Sequence, residues 1–308
     1  MAATARERVW DAGRPVDVHA TLGPLQRGAA DPAQRVDDAG TFWKAAATPE
    51  GDGTIALRAL GGSVGRVTAR AWGPGADWLL DRVPALLGDR DDWSGLDLSA
   101  HPRLRDVQRR RAGMRLPATG LVMDALVPAV LEQRVTGNES RRAWRQLLRR
   151  YGTPAPGPNR DLRVPPASSV LLRIPTWEWH RLGVDGQRYR AVRAAATVAH
   201  RVEECSSLAP SAALARLRVV PGIGQWTAAE TMQRAMGDPD AISVGDYHIK
   251  DIVVHYFTGR ARGTDDEMCA LLEPWAGQRQ RVVRLIELSG VGKPRFGPRY
   301  APIDIRAM

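Results

Sequence analysis

Lysine and cysteine are both scarce in this 308-residue sequence. The two cysteines, Cys205 and Cys269, form neither a disulfide framework nor the grouped spacing of a zinc or iron–sulfur site. A reduced protein with no side-chain metal centre and no required cofactor is expected. No apolar run approaches the roughly 20 residues that cross a bilayer, so no membrane partner is expected. The opening residues, MAATARERVWDAGRP, lack the apolar stretch of a secretion signal, and the expected location is the cytoplasm, at the nucleoid if the partner is DNA. Lysine occurs only at Lys44, Lys250 and Lys293, so nearly all of the 44 basic residues are arginine.

The hydrophobic share of 44% and charged share of 25% are those of a globular protein with a core. A net charge of +10 fits a polyanionic partner, because neutralising phosphates releases condensed counterions. Arginine in place of lysine, with abundant Ala, Gly and Pro, fits a GC-rich coding bias equally well. Charge alone therefore leaves nucleic-acid binding open.

The chain divides by pattern into an α+β unit over residues 1–108, a mainly helical domain over 109–289, and an irregular basic tail over 290–308. In the first unit, Val16–Leu25, Thr54–Leu60 and Val64–Trp72 read as short strands of a small antiparallel sheet. Turns at Thr48–Gly53 and Gly61–Gly62 separate them. Within the third run Arg66, Thr68 and Arg70 alternate with Val67, Ala69 and Ala71, as expected of a strand with one covered face. Ala76–Leu87 reads as a helix with Trp78, Leu79, Val83 and Leu86 on one stripe. The basic stretch His101–Arg115 reads as a linker. Helices are then expected at Met123–Val135, Ser140–Tyr151, Gln187–Val202, Ser211–Val219, Gln225–Met236, Tyr247–Thr258 and Asp265–Leu288, divided by Pro- and Gly-containing turns.

Leu217–Lys250, LRVVPGIGQWTAAETMQRAMGDPDAISVGDYHIK, is the most informative segment. Pro221, Gly222, Ile223 and Gly224 end one helix and open the next. The glycines allow close backbone approach, and apolar Ile223 pins the turn to the core. Free amides at the start of the Gln225 helix, aided by its dipole, make a site for a phosphate. An ordinary tight helix–turn–helix is the alternative for PGIG taken alone.

Hairpin, Trp226 and the spaced Asp246 together resemble the helix-hairpin-helix DNA glycosylase superfamily, in particular its 3-methyladenine glycosylase II branch. The matching pattern, LxxxPGIGxWTA, falls on Leu217–Ala228. Leu121–Leu148 is similar to the family's first core helix pair, with the Glu132-Gln133 step preceding Arg134, at the position that wedges into the duplex. Gly183–Ala195 and Glu273–Glu287 match later helices more loosely. The resemblance implies a small sheet domain followed by a helix-hairpin-helix glycosylase domain. It also implies a monomer acting on double-stranded DNA that holds a damaged base. The DNA contacts it implies are Gln133, Arg134, Pro221, Gly222, Ile223, Gly224 and Thr227. A monovalent sodium or potassium ion would lie on the carbonyls of Arg218, Val220 and Ile223.

Breaking an N-glycosidic bond builds oxocarbenium character on the sugar, which a nearby carboxylate stabilises. A purine alkylated on a ring nitrogen is already cationic and leaves neutral, so one carboxylate suffices. Asp246 is the candidate, though Asp is also a favoured helix cap. Trp226 is the candidate to stack on an extruded base, with core packing behind the hairpin as its alternative. Strand-cutting relatives have a lysine at the Trp226 position, because a Schiff base needs an amine. Its absence predicts a monofunctional enzyme that leaves an abasic site.

Glu230 stands one turn after Trp226, where the alkyl-base branch commonly has an aromatic residue. It is expected either to line the base pocket or to pair with an arginine. Arg279–Glu287 lacks the tryptophan that usually walls that pocket. Removal of a deaminated or oxidised base therefore stays open, as does a non-catalytic DNA-binding module. His180, His248 and His255 lack metal-ligand spacing, and Gly61–Gly65 has no lysine to make a phosphate loop.

Overall fold

The structure is a computed structural model in which residues 4–61 and 65–292 are described. The first unit begins with strand β1 (Arg6–Asp11) and helix α1 (Val18–Leu22). Strands β2 (Gln34–Val36), β3 (Phe42–Thr48), β4 (Gly51–Ala59) and β5 (Arg66–Trp72) follow, then helices α2 (Ala76–Asp81) and α3 (Val83–Leu86). The strands form one antiparallel sheet in the order β1-β5-β4-β3-β2. Val67, Ala69 and Ala71 of β5 are buried beneath α2 and α3, together with Ile55, Leu57, Leu79, Val83 and Leu86. The alternation expected for this strand is the observed one. Its first residue, Val64, and Gly62 of the preceding turn lie outside the described residues.

Val16–Leu25 is not a strand. It folds as α1 followed by a 3-10 turn over Gly23–Leu25, because Asp17 caps the Ala20 amide at 2.9 Å and Val18, Thr21 and Leu22 bury at helical spacing. Strands β1 and β3 were not anticipated. β1 is almost wholly exposed, and the middle of β3, Lys44–Ala47, has no residue that favours strands. Both owe their conformation to their partners, for example through the Phe42–Leu57 register of β3 and β4.

The stretch expected as a linker contains helix α4 (Pro102–Arg110), with Leu104 and Val107 fully buried. It packs on the end of the chain, in a core that joins Trp93, Leu96 and Met114 to Val253, Met268, Leu272, Val282 and Ile286. The helical part proceeds through α5 (Val122–Leu131), α6 (Gly137–Tyr151), a two-stranded ladder of β6 (Thr153–Pro154) and β7 (Arg163–Val164), α7 (Ser168–Arg173) and α8 (Thr176–Arg181). Then come α9 (Gly186–Thr197), α10 (Ala199–Glu203), α11 (Pro210–Val219), α12 (Gln225–Ala235), α13 (Ile249–Thr258), α14 (Asp265–Leu272) and α15 (Arg279–Leu288). The expected Gln187–Val202 helix is divided at Val198. The expected Asp265–Leu288 helix is divided by the 3-10 turn Glu273–Trp275 and by Gly277, whose φ of +86° no helix accommodates. Short helices α7 and α8 escaped prediction because Pro165, Pro166 and Pro175 bracket them. Residues 293–308, most of the expected tail, lie outside the described residues. No described helix is long and apolar enough to cross a membrane.

A further core, formed by α5 to α12, includes Leu126, Val130, Leu171, Trp179, Val192 and Leu217. Val220 and Ile223 of the turn between α11 and α12 belong to it, so the hairpin is fastened to the centre of the helical part.

Candidate active site at the hairpin

α11 ends at Val219, and the Ile223 amide donates back to the Val220 carbonyl at 3.0 Å, closing the turn. Gly222 has a φ of +85°, and a Cβ there would lie 2.6 Å from that of Ala191 on α9. Glycine is therefore required twice, for its conformation and for its lack of bulk. Ile223 is buried, while Pro221, Gly222 and Gly224 are exposed. Gly224 caps α12 without any side chain occupying its first amides. Those amides are the orphan donors of a helix N-terminus at an exposed turn, the arrangement that receives an anion.

Gln133, at the end of α5, clamps this turn. Its amide group donates to the Gly222 carbonyl at 3.0 Å and to the Thr227 hydroxyl at 2.8 Å. Thr227 is buried and its hydroxyl accepts from Gln133, which leaves its backbone amide, in the first turn of α12, as the group it can offer at the turn. Arg134 follows directly, exposed and with a φ of +55°, the only non-glycine residue among those described with positive φ. An arginine in the left-handed region is strained by about 1 kcal/mol or more and persists only where its surroundings impose it. Here the Gln133 clamp on one side and the capping box of Thr136 and Glu139 on the other fix the loop.

Asp246 lies beside the hairpin. One carboxylate oxygen accepts the amides of His248 (2.7 Å) and Ile249 (2.9 Å), which caps α13. The other accepts the indole N–H of Trp226 at 3.0 Å. The capping role foreseen for Asp246 and its place next to the hairpin thus occur together. Trp226, half-buried on the first turn of α12, holds the acid. Lys250 ion-pairs with Asp265, whose other oxygen accepts the Gly245 amide, which steadies the loop on its far side. Tyr247, with 69% of its surface exposed, stands next to Asp246, and Val219, 80% exposed, stands at the hairpin. Neither was singled out beforehand. An apolar side chain beside a polar motif has no sequence signature until the fold leaves it uncovered.

Glu230 pairs with an arginine, one of the two roles expected for it. It is buried, accepting the Ser243 hydroxyl at 2.5 Å with one oxygen and pairing with Arg234 at 2.8 Å through the other. Arg27 of the first unit adjoins this pair, and one of its guanidinium nitrogens donates to both carboxylate oxygens of Glu132, at 2.8 and 2.9 Å. Burial and neighbouring Arg234 lower the Arg27 guanidinium from its ordinary value, while Glu132 and Glu230 act the other way. Ser243 in turn offers its carbonyl to the Asp246 amide at 3.1 Å, so the buried cluster ends at the candidate acid. Among the described residues no group of three or more His, Cys, Asp and Glu side chains is placed to hold a metal ion. His255 caps its own helix end, and His180 and His248 are exposed.

No protein-family model matches the chain. Over 158 residues it is 30% identical to the probable bifunctional transcriptional activator/DNA repair enzyme AlkA of Mycobacterium tuberculosis. The match covers 50% of this chain and 31% of the relative, so the chain spans about a third of that protein. Among solved structures, 3-methyladenine DNA-glycosylase from Archaeoglobus fulgidus superimposes with a TM-score of 0.74 at 14% identity, covering 92% of this chain and 98% of the other. The 8-oxoguanine glycosylase/lyase of Clostridium acetobutylicum, in complex with double-stranded DNA, superimposes with a TM-score of 0.68 at 10% identity, covering 94% and 98%. The chain has the fold of the helix-hairpin-helix DNA glycosylases: a small antiparallel sheet with helices, joined to a mainly helical part that carries the hairpin.

Proposed function

We propose that this protein is a DNA glycosylase that extrudes a damaged base from the duplex and hydrolyses its N-glycosidic bond, with Asp246 as the catalytic residue. The observation that carries the proposal is the placement of Asp246. Three N–H donors hold this acid in a single orientation, and one of them comes from the first turn of the hairpin's own second helix. A carboxylate fixed in advance stabilises developing positive charge on the sugar without having to reorganise as the bond breaks. A module that only bound DNA would use this acid for nothing beyond capping α13, a role that an uncharged Asn or Ser fills without repelling the phosphate backbone.

The exposed α12 amides take a phosphate of the damaged strand, and Pro221, Gly222, Ile223 and Gly224 shape that contact through the backbone. Arg134 enters the gap left by the extruded nucleotide, and Gln133 keeps its loop registered to the hairpin. Neutral carbonyl oxygens at an exposed turn suit a hard monovalent cation, and those of Arg218, Val220 and Ile223 are its proposed seat. Trp226 combines two roles: its N–H orients Asp246, while its ring face is offered to the base.

The proposed substrate class is an alkylated purine, whose cationic ring departs without protonation. The reaction is monofunctional, since Trp226 occupies the position where a Schiff-base lysine would be needed and Lys250 is committed to Asp265. The protein acts as a monomer on double-stranded DNA in the cytoplasm. A panel of duplexes, each holding one lesion, tests this. Release of N3-methyladenine or N7-methylguanine, with strand breaks only after alkali, is expected. Release confined to hypoxanthine, uracil or 8-oxoguanine would reassign the substrate. Breaks without alkali would contradict the monofunctional mechanism.

A further inference from the structure

Of the large apolar side chains most exposed among the described residues, Val219 and Tyr247 flank the hairpin site, but Trp177 (58% exposed) does not. Trp177 lies on α8 with its ring stacked by the Arg181 guanidinium, 4.9 Å from the ring centre. Arg181 belongs to the wall of an open groove of about 400 Å³, completed by Gln146, Arg149 and Arg150 at the end of α6. At 1.5 Å per residue, α6 places the groove about 20 Å from the Arg134 loop at its other end.

The groove is built rather than incidental. Glu178, 7% exposed, binds Arg150 at 2.7 Å and Arg181 at 3.3 Å, and it also accepts the Tyr151 hydroxyl at 2.9 Å. One buried carboxylate thus orients two guanidinium groups from different helices. Arg149 adds a third that has no ion pair among the described residues. The groove keeps a net positive charge after Glu178 is counted. Position at the end of α6 accounts for Arg149 and Arg150 as partners of the helix dipole. Arg181 likewise ends α8, and what neither helix end accounts for is the convergence of these cations from two helices beside an exposed aromatic ring.

We infer that this groove is a nucleotide-phosphate site, taking a phosphate on Arg149, Arg150 and Arg181 and an unstacked base on Trp177. Guanidinium groups match phosphate geometry, and an exposed aromatic ring stacks any base without regard to sequence. The ligand is a phosphate bearing a free base, carried either by a mononucleotide or by a single strand. The inference does not rest on the glycosylase reading, since the groove lies away from Asp246.

The full chain is titrated with thymidine monophosphate, a short oligo(dT) strand and an undamaged duplex, across a salt series. The double variant Arg149→Glu/Arg181→Gln is expected to weaken oligo(dT) binding about tenfold or more and to lower its salt slope by about 1. Trp177→Ala is expected to weaken oligo(dT) binding with little change in slope. Base release from a lesion duplex stays at the wild-type rate in both, and unchanged thermal melts exclude misfolding. Full competition by thymidine monophosphate assigns the groove to mononucleotides, and failure to compete assigns it to a strand. Oligo(dT) binding that both variants leave unchanged overturns the inference. So does variant-sensitive capture of a poly-glutamate peptide with neither nucleic probe bound.

Discussion

Trp226 and Gly222 set the geometry of the candidate site by different means. Trp226 gives Asp246 its indole N–H, a bond whose net worth is about 1 kcal/mol. Trp226→Phe keeps the ring and removes the donor. It is expected to lower kcat for base release by about tenfold with little change in DNA affinity, read by single-turnover kinetics. Gly222 combines a left-handed backbone with contact against Ala191. Gly222→Ala is expected to cost about 1–3 kcal/mol in urea denaturation and to weaken duplex binding through the displaced turn. The motif residues themselves were legible in the sequence, since PGIG and a spaced aspartate constrain chemistry over a short stretch. Glu230 was not. Its spacing from Trp226 places it near the site, but only the fold brings Ser243 and Arg234 to its two oxygens and closes it off from solvent.

At the level of elements, helix starts are where sequence and structure agree best and helix breaks where they agree least. α11 and α12 begin at Pro210 and just after Gly224, both local signals, whereas the capping box of Thr136 and Glu139 starts α6 at Gly137, ahead of the expected Ser140. The break between α14 and α15 and the docking of α4 depend on packing between residues far apart in the chain, which periodicity does not report. α5 illustrates a distant cap. Its first amides, of Val122 and Met123, donate to the Glu203 carboxylate at 2.7 and 2.9 Å, so the cap comes from α10. Burial pushes the Glu203 carboxyl above the ordinary glutamate range despite these bonds. The folded state therefore holds this proton more tightly than the unfolded chain. The contribution is full below the unfolded value near pH 4 and is lost as pH rises through the folded one. The stability difference between wild type and Glu203→Gln is expected to shrink as pH rises from about 4 to 7. A difference that grows over that range would contradict the assignment.

Across the whole molecule, buried ion pairs fasten distant parts of the chain. Arg27 of the first unit grips Glu132 next to the hairpin clamp, and Asp91 binds Arg281 of α15 while also accepting the Trp93 indole and the Leu116 amide. Such pairs add little net stability, yet losing one partner leaves a buried charge uncompensated. Asp91→Ala is therefore expected to cost about 3–5 kcal/mol in denaturant melts, well above an exposed pair such as Arg284–Glu287. Of these, Arg27–Glu132 adjoins the Gln133 clamp and so ties the Arg134 loop and the hairpin to the first unit. The central claim is that Asp246 stabilises the sugar cation and does not merely cap α13. Asn at this position keeps an oxygen for the cap and removes the charge. The decisive measurement is single-turnover release of an alkylated purine from a duplex by wild type and Asp246→Asn, with Kd and thermal midpoint taken on the same preparations. The account predicts a rate lower by at least about 10²-fold with Kd and midpoint nearly unchanged. Equal rates, or a loss of rate that merely follows a loss of fold, would contradict it.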